Sequence, residues 1–213
     1  MQDVNVTSSS GKAGGFTGVF GSAASYDKIS IKGTINVSGS NCIGGYVGAS
    51  DISLSNLNAN VTGTVKATSG YAGGIAGSIT SSRTISNCNA TMSITGSGGN
   101  YVGGIVGYAN SATISQSSYN GTITATGTSS VGGIAGVSAS VITNCTASGM
   151  INASGSSSSI GGIIGSMSNG NVTNCNSNMN INNSGTGNYI GGLIGQLSSS
   201  SIVVSKSYST GNI

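Results

Sequence analysis

A short glycine motif recurs seven times along the chain at nearly constant spacing, and this period constrains the fold more than any other feature. The pattern is Gly-Gly-apolar-x-Gly, beginning at Gly14, Gly44, Gly73, Gly103, Gly132, Gly161 and Gly191, with steps of 30, 29, 30, 29, 29 and 30 residues. Self-similarity at such a period marks a solenoid, in which each repeat covers the open face of its neighbour. The residue before each pair is apolar (Ala13, Ile43, Ala72, Val102, Val131, Ile160, Ile190), and so is the residue after it (Phe16, Tyr46, Ile75, Ile105, Ile134, Ile163, Leu193). Positions three apart cannot share one face of a regular strand. The glycine pair is therefore expected to form a bulge or corner, with glycine supplying positive φ.

Two further columns follow the same period. One is the stretch Ile85-Ser86-Asn87-Cys88, repeated as Ile114-Ser115-Gln116-Ser117, Ile142-Thr143-Asn144-Cys145 and Val172-Thr173-Asn174-Cys175. The other is an apolar column read as Val4, Ile35, Val65, Ile94, Ile123, Ile151, Ile181 and Ile213. Short β-branched runs between Gly, Ser and Asn are strand and turn signals, and no useful length has a 3.6-residue apolar period. Each repeat thus reads as about three short strands and three turns.

The expected architecture is all-β: one parallel β-solenoid, or β-helix, spanning residues 1–213 in about seven turns of 29–30 residues. A right-handed coil is the favoured hand, and at an inter-strand spacing of about 4.8 Å the stack is about 34 Å long. Identical side chains then lie above one another, so Asn87, Gln116, Asn144 and Asn174 are expected to form an amide ladder at a turn. The stretch around Leu54 and Leu57 looks irregular, and Ile29 stands where later turns carry Cys or Ser.

Composition fits a repetitive folded chain. Only 4% of residues are charged, Pro and Trp are absent and there are 38 Gly, yet 36% hydrophobic content and a mean hydropathy of +0.17 supply apolar surface to bury. The net charge of +3 comes from scattered residues, Lys12, Lys28, Lys32, Lys66, Arg83 and Lys206, which form no basic stripe for nucleic acid. No apolar run is long enough to span a bilayer and no leader opens the chain, so membrane insertion is not expected and any export signal is expected outside the segment.

The chemistry of catalysis is thinly represented. His and Glu are absent, and the carboxylates Asp3, Asp27 and Asp51 do not fall in one column. A carboxylate pair needs two acids facing one bond, and a serine nucleophile needs a base. Calcium and zinc need clustered oxygen, Cys or His ligands. The expectation is therefore a protein that is not an enzyme, with no cofactor and no metal.

Four cysteines leave the redox compartment open. Cys88, Cys145 and Cys175 share a column with Ile29, Ser117 and Ser207, which reads as a small buried core position, while Cys42 lies elsewhere. Cys145 and Cys175, on adjacent turns, are the one candidate disulfide pair, although parallel Cβ vectors strain that geometry. Glycosylation triplets begin at Asn5, Asn36, Asn60, Asn89, Asn120, Asn144, Asn152 and Asn171, about as many as this composition produces by itself. Tyr71 and Tyr101 fall on adjacent turns and are either a sugar-stacking platform or an aromatic brace. Thr64, Thr95, Thr122 and Thr124 hint at the flat hydroxyl array of an ice-binding solenoid, interrupted by Lys66, Met150, Asn152, Asn180 and Asn182.

The segment Val204 to Ile213 (VSKSYSTGNI), the stretch Ile85 to Ile94 and the seven glycine-pair segments together resemble the GLUG motif family. That resemblance covers essentially the whole chain. It implies a long secreted or cell-surface protein, often adhesin-like, whose repeats act as structural or adhesive modules. Partners would then be neighbouring repeats, a further copy of the chain, or glycans and other components of a host surface. Val4 and Ile213 are read as one column with no capping segment at either end, so either a longer array or end-to-end stacking into a fibre is expected. Ice binding or carbohydrate binding is the alternative function.

Overall fold

The computed structural model describes residues 4–26, 29, 31, 33–59, 62–80, 82–98 and 100–213. The elements of the described chain are all β-strands, stacked in parallel into a β-solenoid of about seven turns. One turn shows the path. Strand Tyr101–Gly103 runs into the glycine corner, Val106–Ala109 leaves it, Thr113–Ser115 follows, and after a second corner at Gln116 the long strand Ser118–Thr126 leads to the next turn. Each strand pairs with its counterpart one repeat away, as in Tyr101↔Ser130, Ile114↔Ile142 and Ile123↔Ile151.

Among the described residues this stacking makes four sheets. Ten strands form the long sheet, from Val4–Ser8 to Tyr208–Ser209. Seven precede the glycine corner and seven follow it, and six form a sheet from Leu54–Ser55 to Val203–Ser205. The apolar columns close a single core, in which Ile94, Ile123 and Ile151 are fully buried beside Val102, Ile105 and Ile114. Each such side chain contributes about 1.5–3 kcal/mol by leaving water, which a lone turn could not achieve.

Glycine recurs at the corner for want of space, and not for its backbone freedom. None of the paired glycines has positive φ. A Cβ on the first of each pair would sit within 3.0 Å of the carbonyl oxygen three residues on, as for Gly44 and Val47 or Gly103 and Val106. A Cβ on the motif's last glycine would strike the incoming strand: Gly107 would meet Ala72 N and Tyr101 O at 2.7 Å. The strands on either side of the corner therefore touch backbone to backbone. The second glycine makes room for a core side chain, Met92 at Gly45 and Tyr119 at Gly104.

Positive φ is found at the other corner, on Asn56, Asn87, Gln116, Asn144, Asn174 and Lys206, at 49–57°. Asparagine tolerates this left-handed conformation better than most side chains, which explains its prevalence in the column.

Two sequence-based alignments need correction. Val65 pairs with Val37, not Ile35, and Ile35 pairs with Val4, so the continuous apolar column runs Val6, Val37, Val65, Ile94, Ile123, Ile151 and Ile181. Val4 thus lies two residues out of the Ile181 column. The error preserves the inward face because strand side chains alternate, and it arises because the link from this column to the glycine pair varies in length. The stretch at Leu54 is regular: Leu54 and Ser55 pair with Ile85 and Ser86, Asn56 takes the corner, and the buried Leu57 fills the place held by Cys88 one turn later. At the open edge of that sheet the Tyr26 phenol hydrogen-bonds both the N–H and the C=O of Ser55, and its ring stacks on Phe20 at 5.5 Å. Ile29 is half-buried against the core.

Candidate functional site

The outward face of the long sheet presents columns of polar side chains over successive turns. Alternate residues point away from the core, so strand Ser118–Thr126 presents Asn120, Thr122, Thr124 and Thr126 while Ile123 and Ala125 face inward. Register extends these positions into columns. One passes through Asn36, Thr64, Ser93, Thr122, Met150 and Asn180, and the next through Ser38, Lys66, Thr95, Thr124, Asn152 and Asn182. A third, through Ser40, Thr68, Ser97, Thr126, Ser154 and Ser184, continues the same register and carries only hydroxyls. It was not recognised in the sequence, where its members lie in loops or at strand ends.

The columns are bonded along the axis. Asn36 Nδ2 donates to Asn5 Oδ1 at 3.0 Å, Thr64 Oγ1 to Asn36 Oδ1 at 3.1 Å and Asn182 Nδ2 to Asn152 Oδ1 at 3.2 Å. The hydroxyls of Thr126 and Ser154 lie 3.2 Å apart. Thr124, Asn152, Ala153, Ser154, Asn182 and Ser184 line a shallow depression of about 280 Å³ on this face. Lys66 and Met150 interrupt an otherwise uncharged polar lattice. Such a surface offers many weak hydrogen bonds in a regular array and little to activate a nucleophile.

The asparagine corner bears part of the expected amide ladder: Asn174 Nδ2 donates to Asn144 Oδ1 at 2.6 Å. Just inside it lies the cysteine column, where serine and cysteine do the same job. Each donates to the carbonyl two residues back: Cys88 to Ser86 at 3.3 Å, Ser117 to Ser115 at 2.8 Å, Cys145 to Thr143 at 3.3 Å, Cys175 to Thr173 at 3.4 Å. Each also receives from the turn before, for Ser117 Oγ accepts from Cys88 N at 3.2 Å and Ser207 Oγ from Cys175 N at 2.9 Å. A backbone hydrogen bond likewise joins Ser117 to the Cys145 thiol. From Cys88 to Ser207 the column is thus filled by small side chains that both donate and accept, whereas Leu57, one turn earlier, fills the same place by burial alone.

All four cysteines are buried thiols. Cys145 and Cys175 stack on adjacent turns without a bond between their sulfurs. Their mutual hydrogen bond, together with burial, raises the Cys145 pKa, and burial pushes the Cys88 thiol up to about 11. Cys42 lies in the column before the glycine corner, its Sγ 3.3 Å from Ser78 Oγ.

Tyr71 and Tyr101 do meet, with centroids 5.3 Å apart and planes 11° from parallel, and Tyr108 from the outgoing strand joins them at 5.0 and 5.7 Å. Much of the ring faces is thus spent on one another, as in a brace across the corner. Burial raises the Tyr71 pKa, with the neighbouring phenols adding to the effect.

Of the candidate glycosylation sites, Asn5, Asn120, Asn144 and Asn171 are exposed, and Asn36, Asn89 and Asn152 are partly covered by adjacent turns. Asn60 lies outside the described residues, as do Asp3, Asp27, Lys28 and Lys32. A further triplet, Asn182-Asn183-Ser184, escaped notice inside an asparagine run, and Asn182 stacks directly on Asn152. Asp51 accepts from Thr80 Oγ1 at 2.8 Å. Among the described residues no group of three His, Cys, Asp or Glu is placed to hold a metal, and no helix is long and apolar enough to cross a membrane.

A buried polar column, also absent from the sequence reading, marks the corner between the long sheet and the strands before the glycine pair. Asn100 is wholly buried and donates to Ser97 O at 2.8 Å and Ala67 O at 3.3 Å, and the hydroxyls of Thr128 and Ser157 lie 3.3 Å apart. Comparison of the chain with protein-family models, curated proteins and solved structures found no match.

Proposed function

We propose that the chain is a non-enzymatic structural or adhesive module of an extracellular or cell-surface protein, and that the outer face of its long sheet is the surface it presents. The observation that supports this most is the alignment of three columns of hydroxyls and amides, interrupted by Lys66 and Met150, over successive turns. A rigid lattice of weak donors and acceptors gains affinity from many simultaneous contacts, which suits an extended glycan or another repetitive surface. The resemblance to the GLUG motif family points the same way. Neighbouring repeats or a second copy would supply partners along the axis, where Phe16, Val203 and Tyr208 expose apolar surface.

The same lattice carries a second reading, binding to ice or to crystalline carbohydrate, because its positions repeat at about 4.8 Å along the axis and about 7 Å across it. One experiment addresses both readings. The chain and a Thr95→Lys/Thr124→Lys variant are presented to mucin-coated surfaces, to cellulose and chitin particles, and to growing ice. The expected result is retention of the parent chain on at least one, with loss in the variant. Equal retention of both would remove the face from the proposal, and release of soluble sugar from the particles would overturn the non-enzymatic reading.

A further inference from the structure

The chain contains two Asn-Gly dipeptides, Asn120-Gly121 and Asn169-Gly170, in very different settings. Asn120 and Gly121 lie inside strand Ser118–Thr126, where they pair with Ser148 and Gly149. Asn169 and Gly170 lie in the exposed link between strands Ile164–Met167 and Asn171–Thr173. There the Gly170 N–H donates to Asn169's own Oδ1 at 2.8 Å. With a C=O bond of about 1.23 Å, the nitrogen is held no more than about 4 Å from Asn169 Cγ. Gly170 has φ +92°, and a Cβ there would fall within 3.0 Å of the Ser140 backbone. The packing that demands glycine thus leaves that nitrogen without a side chain to shield it.

We infer that Asn169 is a site of spontaneous deamidation built into the folded chain, whereas Asn120 is protected by its strand. The Gly170 nitrogen loses its proton to solvent base and forms a bond to Asn169 Cγ. Nδ2 takes a proton back from the solvent, the Cγ–Nδ2 bond breaks and ammonia departs, leaving a five-membered succinimide. Water then opens either carbonyl, giving aspartate or isoaspartate at position 169. At Asn120 the same ring cannot close until the pairing with Ser148 and Gly149 on the next turn is released. The product places a new carboxylate at an exposed corner of a chain that has only three acidic residues. Its isoaspartyl form also lengthens the backbone directly ahead of strand Asn171–Thr173.

The test is incubation of the full chain at mildly alkaline pH and body temperature, followed by peptide mapping for the gain of one mass unit. Conversion at Asn169 is expected to run on the order of tenfold or more ahead of Asn120, since the latter must first open its rung. In denaturant the two sites are expected to convert at similar rates, and Asn169→Gln removes the fast phase while leaving the fold intact. Equal rates at both sites in the folded chain, or conversion led by Asn120, would overturn the assignment.

Discussion

The ring of Tyr119 occupies the space that a side chain on Gly104 would need: a Cβ on this glycine would lie closer than 3.0 Å to two ring carbons and to the carbonyl oxygen of Gly133. Gly104→Ala is therefore expected to destabilise by about 1–3 kcal/mol or more through overpacking. Adding Tyr119→Ala is not expected to restore stability, because the Gly133 backbone still blocks the methyl group. Gly21, where an added Cβ meets nothing within 4 Å, supplies the control, and Gly21→Ala is expected to stay within about 0.5 kcal/mol of the parent. Denaturant unfolding of the three variants checks all of this.

At the opposite corner the backbone conformation, and not space, sets the requirement. Asn87 sits at φ 51° with its side chain exposed. Asn87→Val is expected to cost about 1–2 kcal/mol, since a branched side chain resists the left-handed region. Asn87→Gly is expected to cost less than Asn87→Val. Equal losses in thermal melts would show that the conformation is not what the column selects.

In the cysteine column, Ser117→Ala removes the acceptor of the Cys88 amide and the donor to Ser115 O. A loss of about 1–3 kcal/mol is expected, because the buried amide is left unpaired. Ser117→Cys is expected to lose less, since Cys145 and Cys175 already fill this role. Chemical denaturation of the two variants side by side separates the outcomes.

Alkali is expected to weaken the fold through Cys88. Burial raises its pKa from 9.0 to about 11. The folded chain therefore holds this proton where the unfolded chain has released it. The contribution is fully present below pH 9, declines as pH rises through about 11, and amounts to about 2–3 kcal/mol at most. Cys88→Ser should flatten the decline between pH 9 and 11 in unfolding curves. Below pH 9, alkylation of Cys88 in the folded chain should be slow.

The period and the all-β stack could be read from the sequence because backbone contact at the glycine corner admits no side chain, which fixes a residue identity in every turn. Where the fold asks only for an inward apolar group the reading was less secure. Ile35 and Val37 both face the core, and only the hydrogen-bond register distinguishes them. Leu57 escaped recognition because it shares burial with Cys88 but not chemistry. The hydroxyl column through Thr126 and Ser154 escaped for the opposite reason: its residues are ordinary loop residues until the register lines them up. Asn100, too, becomes a corner post only when Ala67 and Ser97 come within reach.

The link between the central apolar column and the glycine pair grows from Val37–Gly44 in one turn to Ile181–Gly191 in another, yet the strands on either side keep their pairing. Because closing a slightly longer loop adds little entropy cost, this edge can absorb inserted residues without disturbing the strands on either side. It is the margin along which such a scaffold can acquire new recognition segments, by splicing or by design, without reworking its interior.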